Sequence, residues 1–203
     1  MCGACGTGTI RPPWEVLLAG DRPADRRRRA TAAARTADGR VKVTPWGAAG
    51  YLLTPTTGPI RTCPDLDALA LGLLPHLRLS MPACSPCHHP GDQHLVNLPT
   101  GTDRQRLAVW SALATAHRHA GPLTIEIHTC CPGPRTNTLT PAVVSDHHRV
   151  RVSRTGTARP SMLLRGPHAA QYGNHLLNYL DGSPSKTAPN PNAPSESGVS
   201  GSG

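Results

Sequence analysis

Two cysteine pairs carry the clearest chemistry in this 203-residue sequence: Cys2 with Cys5, and Cys84 with Cys87. Each is spaced Cys-x-x-Cys, a turn that aims backbone amides at two thiolates and lets both sulfurs reach one ion. Zinc takes four ligands in a tetrahedron, so a single pair is half a site. No histidine or third cysteine stands near Cys2 and Cys5, and the missing donors must come from far along the chain. Cys84 and Cys87 supply them. Zinc held by four thiolates has no open position for water and is structural rather than catalytic.

The two pairs resemble the four-cysteine sites of zinc ribbons and related zinc-knuckle proteins. That resemblance covers the knuckles alone. It implies a structural zinc on Cys2, Cys5, Cys84 and Cys87, and no particular activity. The separation of the pairs exceeds that of a compact ribbon, which is tolerable where both lie at one interface. Other readings of the same residues stay open. His88, His89 and His94 offer a local site with Cys84 and Cys87. Cys84-Ser85-Pro86-Cys87-His88 matches the c-type haem attachment pattern, although no secretory signal opens the chain and a proline sits inside the motif. A redox dithiol belongs at a helix start after a strand, which neither pair occupies. Cys63 reads as a small buried hydrophobe, and Cys130 and Cys131 as residues closing the run LTIEIHT.

Asp146-His147-His148 spells the three letters of the DHH phosphoesterases. A metal-dependent hydrolase of that kind needs several further acidic ligands, and the chain has only 12 Asp and Glu. Asp65 is better read as a helix N-terminal acid after Pro64, complementing the dipole. No Gly-rich phosphate loop, paired-His protease motif or nucleophile elbow is present. The sequence leans away from an enzyme, with a hydrolase the most distant reading.

Net charge is +9, carried almost wholly by arginine, since Lys42 and Lys186 are the only lysines. Guanidinium groups grip phosphate bidentately and displace counterions from nucleic acid. The run RPADRRRRATAAAR places Arg22, Arg26, Arg27, Arg28, Arg29 and Arg35 on one helix. Helical spacing puts Arg22, Arg26 and Arg29 on an outward face, with Ala30, Ala33, Ala34 and Ala37 inward. Arg149 and Arg151 share a strand face and extend the positive surface. Trp14, Trp46 and Trp110 are assigned to the core, which leaves few aromatics for base stacking. These features read as a small zinc-stapled binding or regulatory protein that contacts DNA or RNA. The alternative is a protein-interaction adaptor with structural zinc, its charge only the by-product of an Ala-, Arg-, Gly-, Pro- and Thr-rich composition.

The elements that must position these residues read as a sequence written twice. Adding 82 to Cys2 and Cys5 gives Cys84 and Cys87, and the same offset carries Asp21-Arg22 onto Asp103-Arg104 and Gly39 onto Gly121. It also carries Val41 and Val43 onto Leu123 and Ile125. GYLLTPTTG then pairs with HRVRVSRTG, and the helix after Pro64 with the helix after Pro167. The expected class is α+β: two related helix–strand–strand(–strand)–helix units, each behind a knuckle, with short antiparallel sheets covered by helices. The units span 1–81 and 82–180, the second with an insertion near 128–147, and 181–203 reads as a disordered tail. Phe is absent and only three Trp and three Tyr occur, so the core falls to Leu, Val and Ala, and a thin core calls for a staple. No apolar run approaches the roughly 18 residues of a membrane span. Closely spaced cysteines with no leader suit a cytoplasmic, non-membrane protein. On this reading native mass spectrometry finds one zinc per chain, and Cys84→Ser loses both the zinc and the fold.

Overall fold

The computed structural model describes residues 13–48, 50–77, 92–117, 123–130, 149–155, 160–166 and 168–182. Over them the chain is a mixed α+β protein with two small sheets and five helices. Helix α1 (Pro13–Ala19) leads into α2 (Pro23–Thr36), strands β1 (Val41–Trp46), β2 (Gly50–Pro55) and β3 (Arg61–Cys63), and helix α3 (Leu66–Leu73). Strand β4 (Gln93–Asn97), helix α4 (Arg104–Ala116), strands β5 (Thr124–Cys130), β6 (Arg149–Thr155) and β7 (Ser161–Arg165), and helix α5 (Ala169–Asp181) follow.

Local chemistry sets the helix ends. Pro23 opens α2 with its φ already fixed near the helical value, Asp25 lies in its first turn and Arg35 in its last, each matching the dipole. The Asp65 carboxylate accepts the Ala68 N–H at 2.8 Å, as its position after Pro64 implied. Asp103 caps α4 in the same way through the Gln105 N–H at 2.9 Å. Gly182, at φ 72°, closes α5 where an L side chain would be strained.

Helix α4 is the centre of the molecule. Ten of its residues are buried, among them Trp110, Ala108 and Ala112 at 0 % exposure, so it is enclosed on every side rather than amphipathic. It touches α1, α2, α3, α5 and β6, and one apolar cluster draws residues from both halves of the chain. Small Ala side chains let the neighbouring helices come close, which suits a chain with few aromatics.

The first sheet, ordered β1-β2-β3, is antiparallel throughout. Gly50 lets β3 approach: a Cβ there would stand 2.5 Å from the Cys63 carbonyl oxygen. The second sheet, ordered β4-β7-β5-β6, corrects the expectation of antiparallel sheets, because β5 and β6 run parallel. A hairpin cannot join parallel strands; a crossover of a dozen or more residues is needed. The segment 131–148 between them has that length, and the insertion anticipated near 128–147 overlaps it and the end of β5. The linear order helix–strand–strand–strand–helix does recur, as α2-β1-β2-β3-α3 and α4-β5-β6-β7-α5. Its wiring does not: β2 is central in the first sheet, whereas β5 lies between β7 and β6 in the second. Helix α1 and strand β4 lie within the anticipated spans 1–81 and 82–180 but outside the helix–strand–strand–strand–helix pattern. Of the expected tail only Asp181 and Gly182 lie among the described residues, and they close α5.

Candidate nucleic-acid interface

Alternate faces of α2 do different things. Arg26, Arg29, Ala30, Ala33, Thr36 and Ala37 are buried, and Arg22, Arg27, Arg28 and Arg35 are exposed. This corrects the expected outward row of Arg22, Arg26 and Arg29: only Arg22 of the three reaches the surface. The reason is helical geometry. Arg26 and Arg29 lie three or four residues from Ala30 and Ala33 and so share the inward stripe. Small alanines beside them leave room for the long stems to cross to neighbouring elements.

Arg26 reaches the β1–β2 turn. Its guanidinium donates to the carbonyl oxygens of Ala48 (2.9 Å), Gly50 (3.0 Å), Trp46 (3.2 Å) and Gly47 (3.2 Å). Arg29 is fully buried, with its Nε 3.2 Å from the Glu15 carboxylate and 2.9 Å from the Tyr51 hydroxyl. Its Nη1 donates to the Gly20 carbonyl (2.9 Å), the Ala19 carbonyl (3.2 Å) and Gln105 Oε1 (2.8 Å). Tyr51 donates in turn to Glu15 at 3.1 Å, and Gln105 Nε2 to the Ala19 carbonyl at 2.6 Å. Burial, reinforced by the Glu15 charge, pushes the Tyr51 hydroxyl up to about 12, so it stays a donor at any physiological pH.

The exposed arginines are nearly unencumbered. Arg27, Thr31 and Arg35 form one outward stripe at i, i+4, i+8, with Arg28 beside it, and Arg27 and Arg35 stand about 12 Å apart along the axis. Arg28 lies 3.4 Å from Asp103, both partly solvated, a pairing worth little in water. Beside it a cavity of about 510 Å³ lies between α1, α2 and the start of α4. Asp25 and Asp103 balance Arg28 and Arg104 in its lining, so it carries no net preference for an anion.

The second anticipated basic patch is partly neutralised. Arg151 is exposed on β6 and lies 3.5 Å from Glu126, its register partner on β5, which Arg165 also approaches at 3.7 Å. Arg149 pairs in register with Thr124 at the start of β6. Arg106, by contrast, binds inward: it donates to the carbonyls of Leu180 (2.7 Å) and Tyr179 and sits 4.9 Å over the Tyr179 ring.

Trp14 and Trp110 are in the core, as expected, but Trp46 is 56 % exposed at the end of β1. This correction was readable in the alternation of β1. With Val41 and Val43 inward, Lys42, Thr44 and Trp46 must face out.

The zinc ligands Cys2, Cys5, Cys84 and Cys87 lie outside the described residues, as do His88, His89, Cys131 and Asp146-His147-His148. His94 is on β4, half-buried, with its ring against Gly173 of α5. Cys63 is buried at 4 % exposure, its thiol pushed up by burial, which fits a packing role. Among the described residues no group of three or more His, Cys, Asp or Glu converges on a metal position.

Two buried titratable groups shape the pH response. Trp110 Nε1–H donates to His175 Nδ1 at 3.0 Å, which requires a neutral ring protonated on Nε2. Burial, with the nearby His117, holds His175 below the usual histidine range. Asp67 is raised to about 7 by burial, then by Asp65 and Glu15, against the nearby Trp14 indole, which favours the anion. No protein-family model, curated protein or solved structure matches the chain.

Removing Arg29 strands the Glu15 carboxylate in the core. Arg29→Ala therefore lowers unfolding free energy by about 3–5 kcal/mol, while Arg27→Ala changes it by less than about 0.5, as read from urea titrations. Asp67 supplies a pH signature of defined sign. Its folded pKa exceeds the unfolded value, so its contribution is complete at acid pH and is lost as pH rises through 7. Asp67→Asn should be more stable than the wild type above pH 7, with the gap closing toward pH 4. His175 runs the other way, its contribution complete above about 6.5 and lost as pH falls below it.

Proposed function

We propose that this chain is a small zinc-stapled binding protein that holds nucleic acid by its phosphates, through the outward arginines of α2. The observation that carries this reading is the division of that helix. Arg26 and Arg29 are consumed in holding α2 to the β1–β2 turn, α1, β2 and α4, so Arg22, Arg27, Arg28 and Arg35 stand on a rigid support with their guanidiniums in solvent. Rigid, exposed arginines at helical spacing suit phosphate oxygens, and an overall charge of +9 adds long-range attraction. Arg151, exposed on β6, offers a weaker secondary contact.

The zinc belongs to this reading as a staple. Four thiolates in two knuckles are a donor set chemically suited to zinc, closed to water and placed in the two halves of the sequence. The recurring helix–strand–strand–strand–helix order supports a duplicated origin for the halves, which Cys2 and Cys5 from one and Cys84 and Cys87 from the other would clamp. Thiolate ligands of this kind belong in a reducing compartment.

Phosphate contact gives a distinct salt response. Affinity for a mixed-sequence oligonucleotide, followed by fluorescence anisotropy, should fall steeply as salt rises from 50 to 200 mM. Changing Arg22, Arg27, Arg28 and Arg35 together to Ala should flatten that slope by about four contacts without altering the unfolding midpoint. A binding isotherm indifferent to salt would overturn the reading.

A further inference from the structure

The outer face of the β1-β2-β3 sheet has no helix over it among the described residues and carries one aromatic group, Trp46. Lys42, Thr44 and Trp46 of β1 face outward beside Leu52 and Thr54 of β2 and Thr62 of β3, as the register and the inward burial of Val41, Val43, Tyr51 and Leu53 require. Two details make Trp46 unlike a stray surface residue. Its register partner is Gly50, so no cross-strand side chain covers the indole from β2. Gly50 is glycine because β3 comes too close for a Cβ. The same constraint that packs β3 leaves the ring uncovered. Second, the backbone on both sides of the turn is held by Arg26, through the carbonyls of Trp46, Gly47, Ala48 and Gly50. The indole thus projects from a fixed hairpin end and loses little freedom on binding.

The charge around it has one sign. From Gly39 to Cys63 the chain contains Arg40, Lys42 and Arg61 and no carboxylate. All three are exposed; Lys42 shares the face of Trp46, Arg40 precedes Lys42 by two residues, and Arg61, the register partner of inward Leu53, points to the other face at the sheet edge. An aromatic platform with hydroxyls and cations alongside, and no acid on its strands, suits a flexible strand of nucleotides. A base stacks on the ring while the cations meet the backbone. A base paired within a duplex has its faces covered by neighbours and cannot use such a platform.

We propose that Trp46 stacks an unpaired base, making the sheet face selective for single-stranded nucleic acid. The inference rests on the nucleic-acid reading of α2 and adds to it the form of the ligand. Arg26 is a positioning residue in this scheme, since it touches only the turn that presents Trp46.

The test uses the full chain, a dodecamer of deoxythymidine and a twelve-base-pair mixed-sequence duplex. Trp14 and Trp110 are fully buried, so a change in tryptophan emission on adding the single strand reports Trp46. The expected result is quenching that saturates with the anisotropy of a labelled dodecamer. Trp46→Ala should bind the dodecamer about tenfold or more weakly, Trp46→Phe should retain most of the affinity, and duplex binding should be unchanged in both. An exposed site makes these variants safe for folding, which unchanged urea midpoints verify. Equal binding of single strand and duplex, with Trp46→Ala silent, overturns the stacking inference and leaves the phosphate reading of α2 standing. Saturated binding without quenching does the same. Failure of both probes to bind at low salt overturns the two together.

Discussion

A single buried guanidinium constrains most of this structure. Arg29 projects from α2 into the protein interior, fully buried, and meets Glu15 of α1, Tyr51 of β2, Gln105 of α4 and the carbonyls that end α1. Enclosing a charge pair costs several kcal/mol per ion, and the attraction repays it only where hydrogen bonds satisfy the remaining polar atoms. Here both members have additional partners on different elements, although Arg29 Nη2 is buried without a hydrogen bond among the described residues. The geometry can be met in one arrangement of α1, α2, β2 and α4. Apolar packing among alanines and leucines would tolerate sliding; the fork of Arg29 does not. In a chain with no phenylalanine, such a polar lock defines helix positions that bulky side chains set in other proteins.

That lock also explains how one helix can be both glue and surface. The composition of α2 is nearly as polar as a solvated segment, and its pattern of apolar residues is weak. Its burial comes from arginine stems and alanine methyls on one stripe, with the guanidiniums satisfied beyond. The charge run therefore splits by position within the helical turn. Two arginines are structural, and the remainder face water.

Much of the architecture was legible in the sequence for identifiable reasons. Asp65 after Pro64 is a helix start with a local mechanism and caps α3 as read, while the cap at Asp103, used in the sequence only to align the two halves, came from the structure. The Ala-rich inner face of α2, the strand pattern of VKV and LTIEI, and the helices after Pro64 and Pro167 follow from periodicity alone. Other features depend on what lies across space. Strand alternation does not encode direction, so nothing in β5 or β6 announced a parallel pair. An arginine on an inward stripe looks the same in sequence as one on an outward stripe until its acceptors are known. Helix α1 escaped notice because seven residues carry little periodic signal, although Pro13 at its start and Gly20, at φ 75°, just past its end are the usual punctuation. Trp46 was legible by alternation and was misassigned by weighting residue type over strand face. The cysteine pairs were the plainest motif in the sequence, yet they lie outside the described residues, and the proposal of zinc on them rests on donor chemistry.

The order of the second sheet has a kinetic corollary. Strand β7 is the last of the described strands in sequence but lies between β4 and β5, and among the described residues β4 pairs with no other strand. During synthesis β4, α4, β5 and β6 all emerge while the middle of the sheet is still missing. The first sheet closes from neighbours in sequence and can form early, whereas the second must hold a gap open until residues 161–165 arrive. Contacts that close late and span long stretches slow folding, and waiting edges invite pairing with another chain. The vulnerable interval in the life of this protein is therefore the synthesis of its last strand and helix, before β7 fills the vacancy.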